Sequence, residues 1–174
     1  AGYVDASVSD IVREAGGSRA SFYAYFTSID DALDELVREV TDDLFVAASR
    51  PSAPAGSPFD ALTATIGQFM HAYRDRARLL AVLDQATTTS DTFRAVRLEI
   101  RTRFATAIAV SIGRQVAVPD PDGLDPRTTA IALGGMVEDM ARGRYLLGQD
   151  VDETAAIHTL AVVWARAIGV PTGA

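Results

Sequence analysis

The sequence predicts an all-α protein, and three observations lead to that prediction. Apolar residues recur at three- and four-residue spacing through the long segments, which is the period of an amphipathic helix. Ser and Asp residues stand just before these segments, where their side chains can cap a helix. Two Pro-rich stretches, RPSAPAGSP at 50–58 and VAVPDPDGLDP at 116–126, interrupt the helical pattern and predict loops.

Composition sets the broad class of the protein. The chain has 174 residues, 48% of them hydrophobic, which is enough to bury a core as one or two domains. It contains no cysteine, so disulfides and thiolate metal sites are excluded. No apolar run reaches the length of a bilayer span, and the opening AGYVDASVSD lacks the features of a signal peptide. We therefore expect a soluble, cytoplasmic protein with no membrane partner.

The stretch from Ser7 to Phe26 predicts two short helices joined by a glycine turn. Ser7 can cap the first helix, with Asp10 as its partner three residues on. Gly16 and Gly17 then end it, because glycine reaches left-handed backbone angles at little steric cost. Ser18 can cap the second helix, in which Phe22 and Phe26 lie one turn apart and predict its buried side. A helix pair of this kind fits the major groove of DNA.

This segment resembles the DNA-binding head of TetR-type transcriptional regulators. The matching residues are Gly2-Tyr3, Ser7-Val8, Ile11, Ala15-Gly16, Ser18, Phe22-Tyr23-Ala24-Tyr25-Phe26 and Leu33. The resemblance implies a helix before Gly2, so we expect that residues precede this chain. It also implies a palindromic double-stranded DNA operator, with Arg19 at a base edge and hydroxyl groups at phosphates. The predicted DNA-binding residues are Ser7, Ser18, Arg19, Ala20, Ser21, Tyr23 and Tyr25.

The charge balance opposes tight DNA binding. The chain carries 16 basic and 23 acidic residues, a net charge of -7, whereas a nucleic-acid binder is expected to show a basic patch. Ile29 also stands where relatives commonly have a lysine near a phosphate. Two interpretations follow: a regulator whose basic residues precede this chain, or a helical small-molecule binding protein with a weak or vestigial head.

The remaining chain predicts six helices. Ser28 begins a helix that runs through Leu33 to Phe45, and a further helix runs from Phe59 to Tyr73. The charged run Arg74-Asp75-Arg76 is expected to break the pattern before a short helix that ends near 87–90. Longer helices follow from about 91 to 112, 127 to 147 and 152 to 168. We expect a DNA-binding head with its connecting helix at 1–49, and a ligand-binding and dimerisation domain at 50–174.

An apolar or aromatic effector is expected among the central helices, although the same side chains could fill a closed core. Glu138, beside an apolar face, needs a partner: Arg142, Arg103 or a ligand amine, with a salt bridge at the helix rim favoured. The predicted pocket residues are Phe69, Tyr73, Leu83, Phe104, Ile108, Met136, Met140 and Glu138.

The resemblance further implies that the last two helices build a four-helix interface with a second copy of the chain. Both helices carry more apolar surface than a single buried face requires. The predicted homodimer contacts are Gly135, Arg142, Ile157, Ala161, Trp164 and Ile168.

Catalysis is the least favoured function class. The two histidines, His71 and His158, are far apart and lack a neighbouring ligand at metal-binding spacing. No Gly-x-Ser-x-Gly elbow and no phosphate-binding glycine loop are present. We expect no cofactor, no metal and no enzymatic activity.

Overall fold

The computed structural model describes residue 3 and residues 6–49, 56–115 and 123–172. These residues form seven helices, which confirms the predicted all-α class. Most of the two predicted loops, 50–55 and 116–122, lies outside the described residues. The helices are α1 (Val8–Glu14), α2 (Arg19–Tyr25), α3 (Ile29–Ser49), α4 (Pro58–Thr89), α5 (Asp91–Gln115), α6 (Pro126–Tyr145) and α7 (Glu153–Ala167).

Short polar side chains begin the helices, as the sequence predicts. The side chains of Ser7, Ser18, Ser57, Asp125 and Asp152 each accept a backbone N–H from three residues further on. Such a cap satisfies one of the donors left open at a helix start and is worth about 1 kcal/mol. Pro58 and Pro126 follow two of the caps at positions where a missing N–H costs nothing.

The predicted break at Arg74-Asp75-Arg76 is wrong, because α4 is one continuous helix of 32 residues. These three residues are exposed, whereas Tyr73, Ala77 and Leu80 keep the buried face continuous around them. The run contains neither glycine nor proline, and arginine is a good helix former. A change in polarity on one side of a helix was therefore mistaken for an end of the helix.

Helix α4 is the centre of the main core. Its buried Met70, Tyr73 and Leu80 pack with Val40 and Leu44 of α3. From the other side come Val137 and Ala141 of α6, and Leu160 and Ala161 of α7. Contacts of α4 with α3, α5, α6 and α7 therefore fix the four helices around it.

A second apolar cluster attaches the head to this bundle. Leu33 and Val37 of α3 pack with Leu83 of α4 and Phe93 of α5. The Tyr3 ring meets the Phe93 ring edge-on at 5.8 Å, and the Tyr3 hydroxyl donates to Asp30 at 2.5 Å. The start of the connecting helix α3 is thus held against the end of α4.

The described part of the chain contains neither a candidate membrane-spanning helix nor a candidate metal-binding group. Within it, no helix is both long and apolar enough to cross a membrane. Nor do the described His, Asp and Glu residues form a group of three or more that could hold a metal ion.

Candidate functional site

The turn between α1 and α2 depends on one glycine. Gly16 has a φ of 66°, in the left-handed region that residues with a Cβ rarely adopt. Gly17 does not, although both glycines were predicted to reach that region. The Gly17 N–H donates to the Val12 carbonyl at 2.8 Å. This turn closes the C-terminal end of α1 and directs the chain into α2.

Helix α2 has a buried side and a wholly exposed side. Phe22 is 7% exposed and its ring lies 5.4 Å from that of Phe26, in agreement with their predicted place in the head's interior. Tyr23 and Tyr25 are 52% and 82% exposed. The predicted DNA-binding residues, Ser7, Ser18, Arg19, Ala20, Ser21, Tyr23 and Tyr25, are all exposed.

Arg19 is the available cation of the helix pair. Arg13 of α1 already binds the Asp10 carboxylate at 2.6 Å, whereas Arg19 forms no ion pair with any described residue. A free guanidinium at the first position of α2 presents its fork of donors to a base edge or a phosphate. Each copy of the chain therefore presents one guanidinium group, that of Arg19, for a strong contact with a base edge or a phosphate.

The hydroxyl groups of Ser7 and Ser18 are already engaged as caps. Ser7 Oγ accepts the Asp10 N–H at 3.2 Å and donates to the Asp10 carboxylate at 2.5 Å. Ser18 Oγ accepts the Ser21 N–H at 3.0 Å and lies 2.9 Å from Ser21 Oγ. Asp10 is held by Ser7 and then Arg13, which lowers its pKa. Ser7 would have to release Asp10 to donate to a phosphate.

A cavity of about 710 Å³ lies between helices α3 to α7, within the size range of small-molecule sites. It reaches the surface at exposed residues such as Leu98 and Arg127. Of the predicted pocket residues, Phe69, Tyr73, Leu83, Phe104, Ile108 and Glu138 line it.

Met136 and Met140 do not line the cavity. Both are partly buried and pack against the main core instead. On α6 the cavity is lined instead by Arg127, Ala130, Ile131, Gly134, Gly135, Val137 and Glu138. The two methionines were therefore assigned to the correct helix but to the wrong face.

An aromatic wall joins α3 to the cavity. The Phe104 ring contacts the rings of Phe45 at 5.4 Å and Phe69 at 6.0 Å, both edge-on. The guanidinium of Arg103 lies over the Phe45 ring, 4.1 Å from its centre, and also pairs with Asp42. Phe45 was not predicted as a pocket residue, although it lies one helical turn after Thr41, which also lines the cavity.

Ion pairs close one end of the cavity. Glu138 accepts from Arg97 at 2.5 Å and from Arg101 at 3.0 Å. Arg97 also lies 3.5 Å from Asp84, which binds Arg142 at 3.0 Å. Glu138 thus forms the salt bridge that the sequence favoured, but its partners are neither Arg142 nor Arg103, and no ligand amine is needed to neutralise it.

Tyr73 stands beside this network with an unsatisfied hydroxyl. The residue is 2% exposed, and its hydroxyl has no hydrogen-bond partner among the described residues. Burial, with the negative charges of Asp84 and Glu138, raises the pKa of Tyr73 to about 12, so the phenol is neutral at physiological pH.

The predicted dimer residues do not share one surface. Ala161 has no exposed area and belongs to the main core, so a partner cannot contact it. Gly135, Trp164 and Ile168 line the cavity, while Ile157 packs near Gly67 and Arg142 binds Asp84. The exposed apolar residues of these two helices are instead Ile131 and Val163, at 45% and 47%.

Comparison with known proteins agrees with this architecture. Residues 1–36 match the family model of bacterial regulatory proteins of the tetR family. Among curated proteins, no sequence match is found for this chain. The sequence match covers the head. For the remaining chain, the comparison rests on the fold.

Two solved structures share that fold. One, from Syntrophomonas wolfei str. Goettingen and assigned to the TetR family of transcriptional regulators, is 13% identical with a TM-score of 0.77. The match covers 96% of this chain and 86% of that one. The other, a TetR-family member from Streptomyces coelicolor A3, is 18% identical with a TM-score of 0.55, covering 95% and 82%.

Proposed function

We propose that this TetR-type regulator is a homodimeric repressor, released from a palindromic operator by a small apolar or aromatic effector. The single observation that carries the proposal is the presence in one chain of an exposed α2, whose Arg19 forms no ion pair with a described residue, and a cavity of about 710 Å³. A regulator of this kind acts on the DNA of the cytoplasm.

On DNA, α2 would occupy the major groove of one half-site. Arg19 would donate to a guanine edge, while Ser21, Tyr23 and Tyr25 would donate to phosphates and fix the register. Two symmetry-related heads require half-sites about 34–36 Å apart, or a multiple of one helical turn. The spacing of the two heads would therefore determine the affinity for the operator.

The homodimer would form through α6 and α7, which would hold the two heads at that spacing. Ile131 of α6 and Val163 of α7 are exposed apolar side chains that a second copy could cover. Gly135, Arg142, Ile157, Trp164 and Ile168 are at most neighbours of that surface, given their contacts within the chain.

The effector would act through α3. Thr41, Leu44 and Phe45 of this helix line the cavity, and its first turns pack against Leu83, which lines the cavity too. A ligand that separates Phe45 from Phe104 would move α3 and so change the spacing of the heads. A complete switch needs about 5.5 kcal/mol of difference in ligand affinity between the two arrangements.

The proposal is tested by gel-shift titration of operator DNA from the gene's own promoter region. Arg19→Ala should weaken specific binding by about 1–3 kcal/mol, as expected for a lost guanine contact. Arg13→Ala is the matched control, because Arg13 is also an exposed head arginine but is paired with Asp10. A protein that shows no salt-sensitive shift, and for which Arg19→Ala changes nothing, would contradict the regulator function.

A second candidate is a small-molecule binding protein with a weak DNA-binding head. Residues 1–30 carry Arg13 and Arg19 against four acidic residues, a net charge of -2, and α3 begins with Ile29 rather than a lysine. This candidate predicts ligand binding together with DNA binding that is seen only at low salt, if at all. The gel-shift titration at increasing salt separates the two candidates.

A further inference from the structure

The cavity walls are mostly apolar, so most of the ligand must be apolar as well. The buried lining includes Leu44, Ile66, Leu80, Leu83 and Val137, none of which offers a polar side-chain group. Removing apolar surface from water is the main source of affinity in such a site. Any charged group of the ligand therefore belongs where charged side chains line the cavity.

The charged side chains of the lining carry more positive than negative charge. They are three arginines and a single carboxylate: Arg97, Arg101, Arg127 and Glu138. Glu138 accepts from both Arg97 and Arg101, and we call these three residues the arginine end of the cavity. Arg127 lies about 16 Å from Glu138 along α6. Because apolar walls screen charge poorly, a surplus of positive charge in the lining attracts an anionic group.

The carboxylates just outside the lining leave one positive charge unmatched at the arginine end. Asp84 lies 3.5 Å from Arg97, but it is bound by Arg142 at 3.0 Å, so the charges of Asp84 and Arg142 cancel each other. Asp125, the N-cap residue of α6, interacts electrostatically with Arg127 and balances this distant arginine. At the arginine end, two guanidinium groups then share one carboxylate. A ligand amine would add to the surplus, whereas a ligand carboxylate would neutralise it.

Arg101 is the arginine that is open to a ligand carboxylate. Arg97 is only 20% exposed and already contacts Glu138 at 2.5 Å and Asp84 at 3.5 Å. Arg101 is 47% exposed, and its Nη1 donates to Glu138 at 3.0 Å. Its Nη2 lies 3.8 Å from where a Cβ of Gly135 would be, and has no hydrogen-bond partner among the described residues. Because Gly135 has no side chain, the donors of Arg101 on the α6 side stay open to a ligand.

We propose that the effector is an amphipathic monocarboxylate, whose apolar or aromatic body fills the cavity and whose carboxylate accepts hydrogen bonds from Arg101. The inference rests on the proposed function only in taking the cavity as the effector site. Glu138 holds Arg101 in place through Nη1, and a ligand carboxylate at Nη2 completes the neutralisation of the two guanidinium groups. The arginine end thus selects acids over neutral and cationic molecules of the same shape.

Three probes with one carbon skeleton test this selection: 4-phenylcyclohexanecarboxylate, its neutral carboxamide and 4-phenylcyclohexylamine. Trp164, the single tryptophan of the chain, lines the cavity, so its fluorescence reports binding. The acid should bind at least about tenfold more tightly than the carboxamide, because hydrogen bonds between charged groups are the stronger ones, and the amine should bind most weakly. Added salt should weaken binding of the acid and leave binding of the carboxamide unchanged.

Substitution of Arg101 tests the assignment to this residue. Arg101→Gln should lower affinity for the acid about tenfold and affinity for the carboxamide less than twofold. Arg101→Lys keeps the charge but loses the fork of donors, so it should lower affinity for the acid by less than Arg101→Gln does. Arg94→Gln is the matched control, because Arg94 is on the same helix, is 52% exposed and does not line the cavity. It should leave the affinity for all three probes unchanged.

Three results would overturn the inference: a carboxamide that binds the unaltered protein as tightly as the acid, equal effects of Arg101→Gln and Arg94→Gln on the acid, or no change in fluorescence with any probe. The gel-shift titration without ligand is independent of these outcomes. A failed gel shift together with an Arg101-dependent preference for the acid contradicts the regulator and leaves the inference standing. A salt-sensitive gel shift without that preference overturns the inference alone.

Discussion

Replacing Tyr73 with phenylalanine should stabilise the protein, which is the opposite of the usual effect of removing a buried hydroxyl. Tyr73 is 2% exposed and its hydroxyl has no partner among the described residues. An unsatisfied buried polar group costs about 1–3 kcal/mol, and the ring of phenylalanine keeps the packing. We expect the free energy of unfolding to rise by about 1 kcal/mol at pH 7, a gain of about 2–4 °C in Tm for a chain of this size.

The pH dependence gives a second and sharper signature of the same substitution. The unfolded chain loses the Tyr73 proton near pH 10, whereas the folded chain keeps it to about pH 12. The unfolded state therefore binds fewer protons in this window, so stability falls as pH rises. A shift of about two pKa units corresponds to about 3 kcal/mol, fully present below pH 10 and lost through pH 12. Tyr73→Phe should remove this part of the alkaline destabilisation.

The composition of the chain leaves few other groups that titrate in this pH range. It contains no lysine and no cysteine, so tyrosines are the side chains that change charge between about pH 9 and 12. Urea unfolding at fixed protein concentration, repeated across this range, gives the difference between the two proteins directly. Tyr145→Phe is the control and should lose about 1 kcal/mol, because its hydroxyl donates to Glu153 at 2.7 Å. If Tyr73→Phe is less stable at pH 7, the hydroxyl has a partner and the reasoning is refuted.

Two further pairs of substitutions test the head and the cavity. Gly16→Ala should lower the free energy of unfolding by about 1 kcal/mol, measured by thermal unfolding, and should weaken DNA binding, because φ is 66° there. Gly17→Ala should change neither, since its Cβ would meet only the Val12 carbonyl, at 4.0 Å. Equal effects of the two would show that the turn does not depend on left-handed backbone. Gly134→Ala would place a Cβ 3.1 Å from Ile108 in the cavity wall and should weaken binding of an apolar probe, phenylcyclohexane, several-fold, as measured by the fluorescence of Trp164, which lines the cavity. Gly135→Ala, with its Cβ 3.8 Å from Arg101, should not. Unchanged phenylcyclohexane affinity in Gly134→Ala would argue that the probe binds elsewhere.

The head was the part of the fold that local sequence could predict best. Ser7 and Ser18 cap helices because a hydroxyl satisfies a nearby N–H, and this interaction spans only three residues. The glycine turn is equally local. Such features need no knowledge of what packs against them, so residue types and spacing were enough. The role of each exposed side chain on DNA stays a prediction.

The assignments to pocket and interface depended on distant contacts and were less accurate. Helical spacing shows which residues share a face, but it does not show which neighbour that face meets. Ala161 was therefore expected at a dimer surface and is instead in the core, and Trp164 was expected there and lines the cavity. Glu138 was expected to pair with Arg142 or Arg103, but it binds Arg97 and Arg101, because the packing of α5 on α6 selects the partner.

The continuity of α4 has a mechanical consequence. A helix of 32 residues is about 48 Å long, and one end stands at Pro58 beside the cavity while the other supports Tyr3 through Gln85. A tilt of about 5° around one end would displace the other by about 4 Å, a distance comparable to the rise of one base pair. Had the chain broken at Arg74, that displacement would be absorbed at the joint. In the proposed homodimer, an unbroken α4 would therefore convert a small expansion of the cavity into a change of register between the two heads.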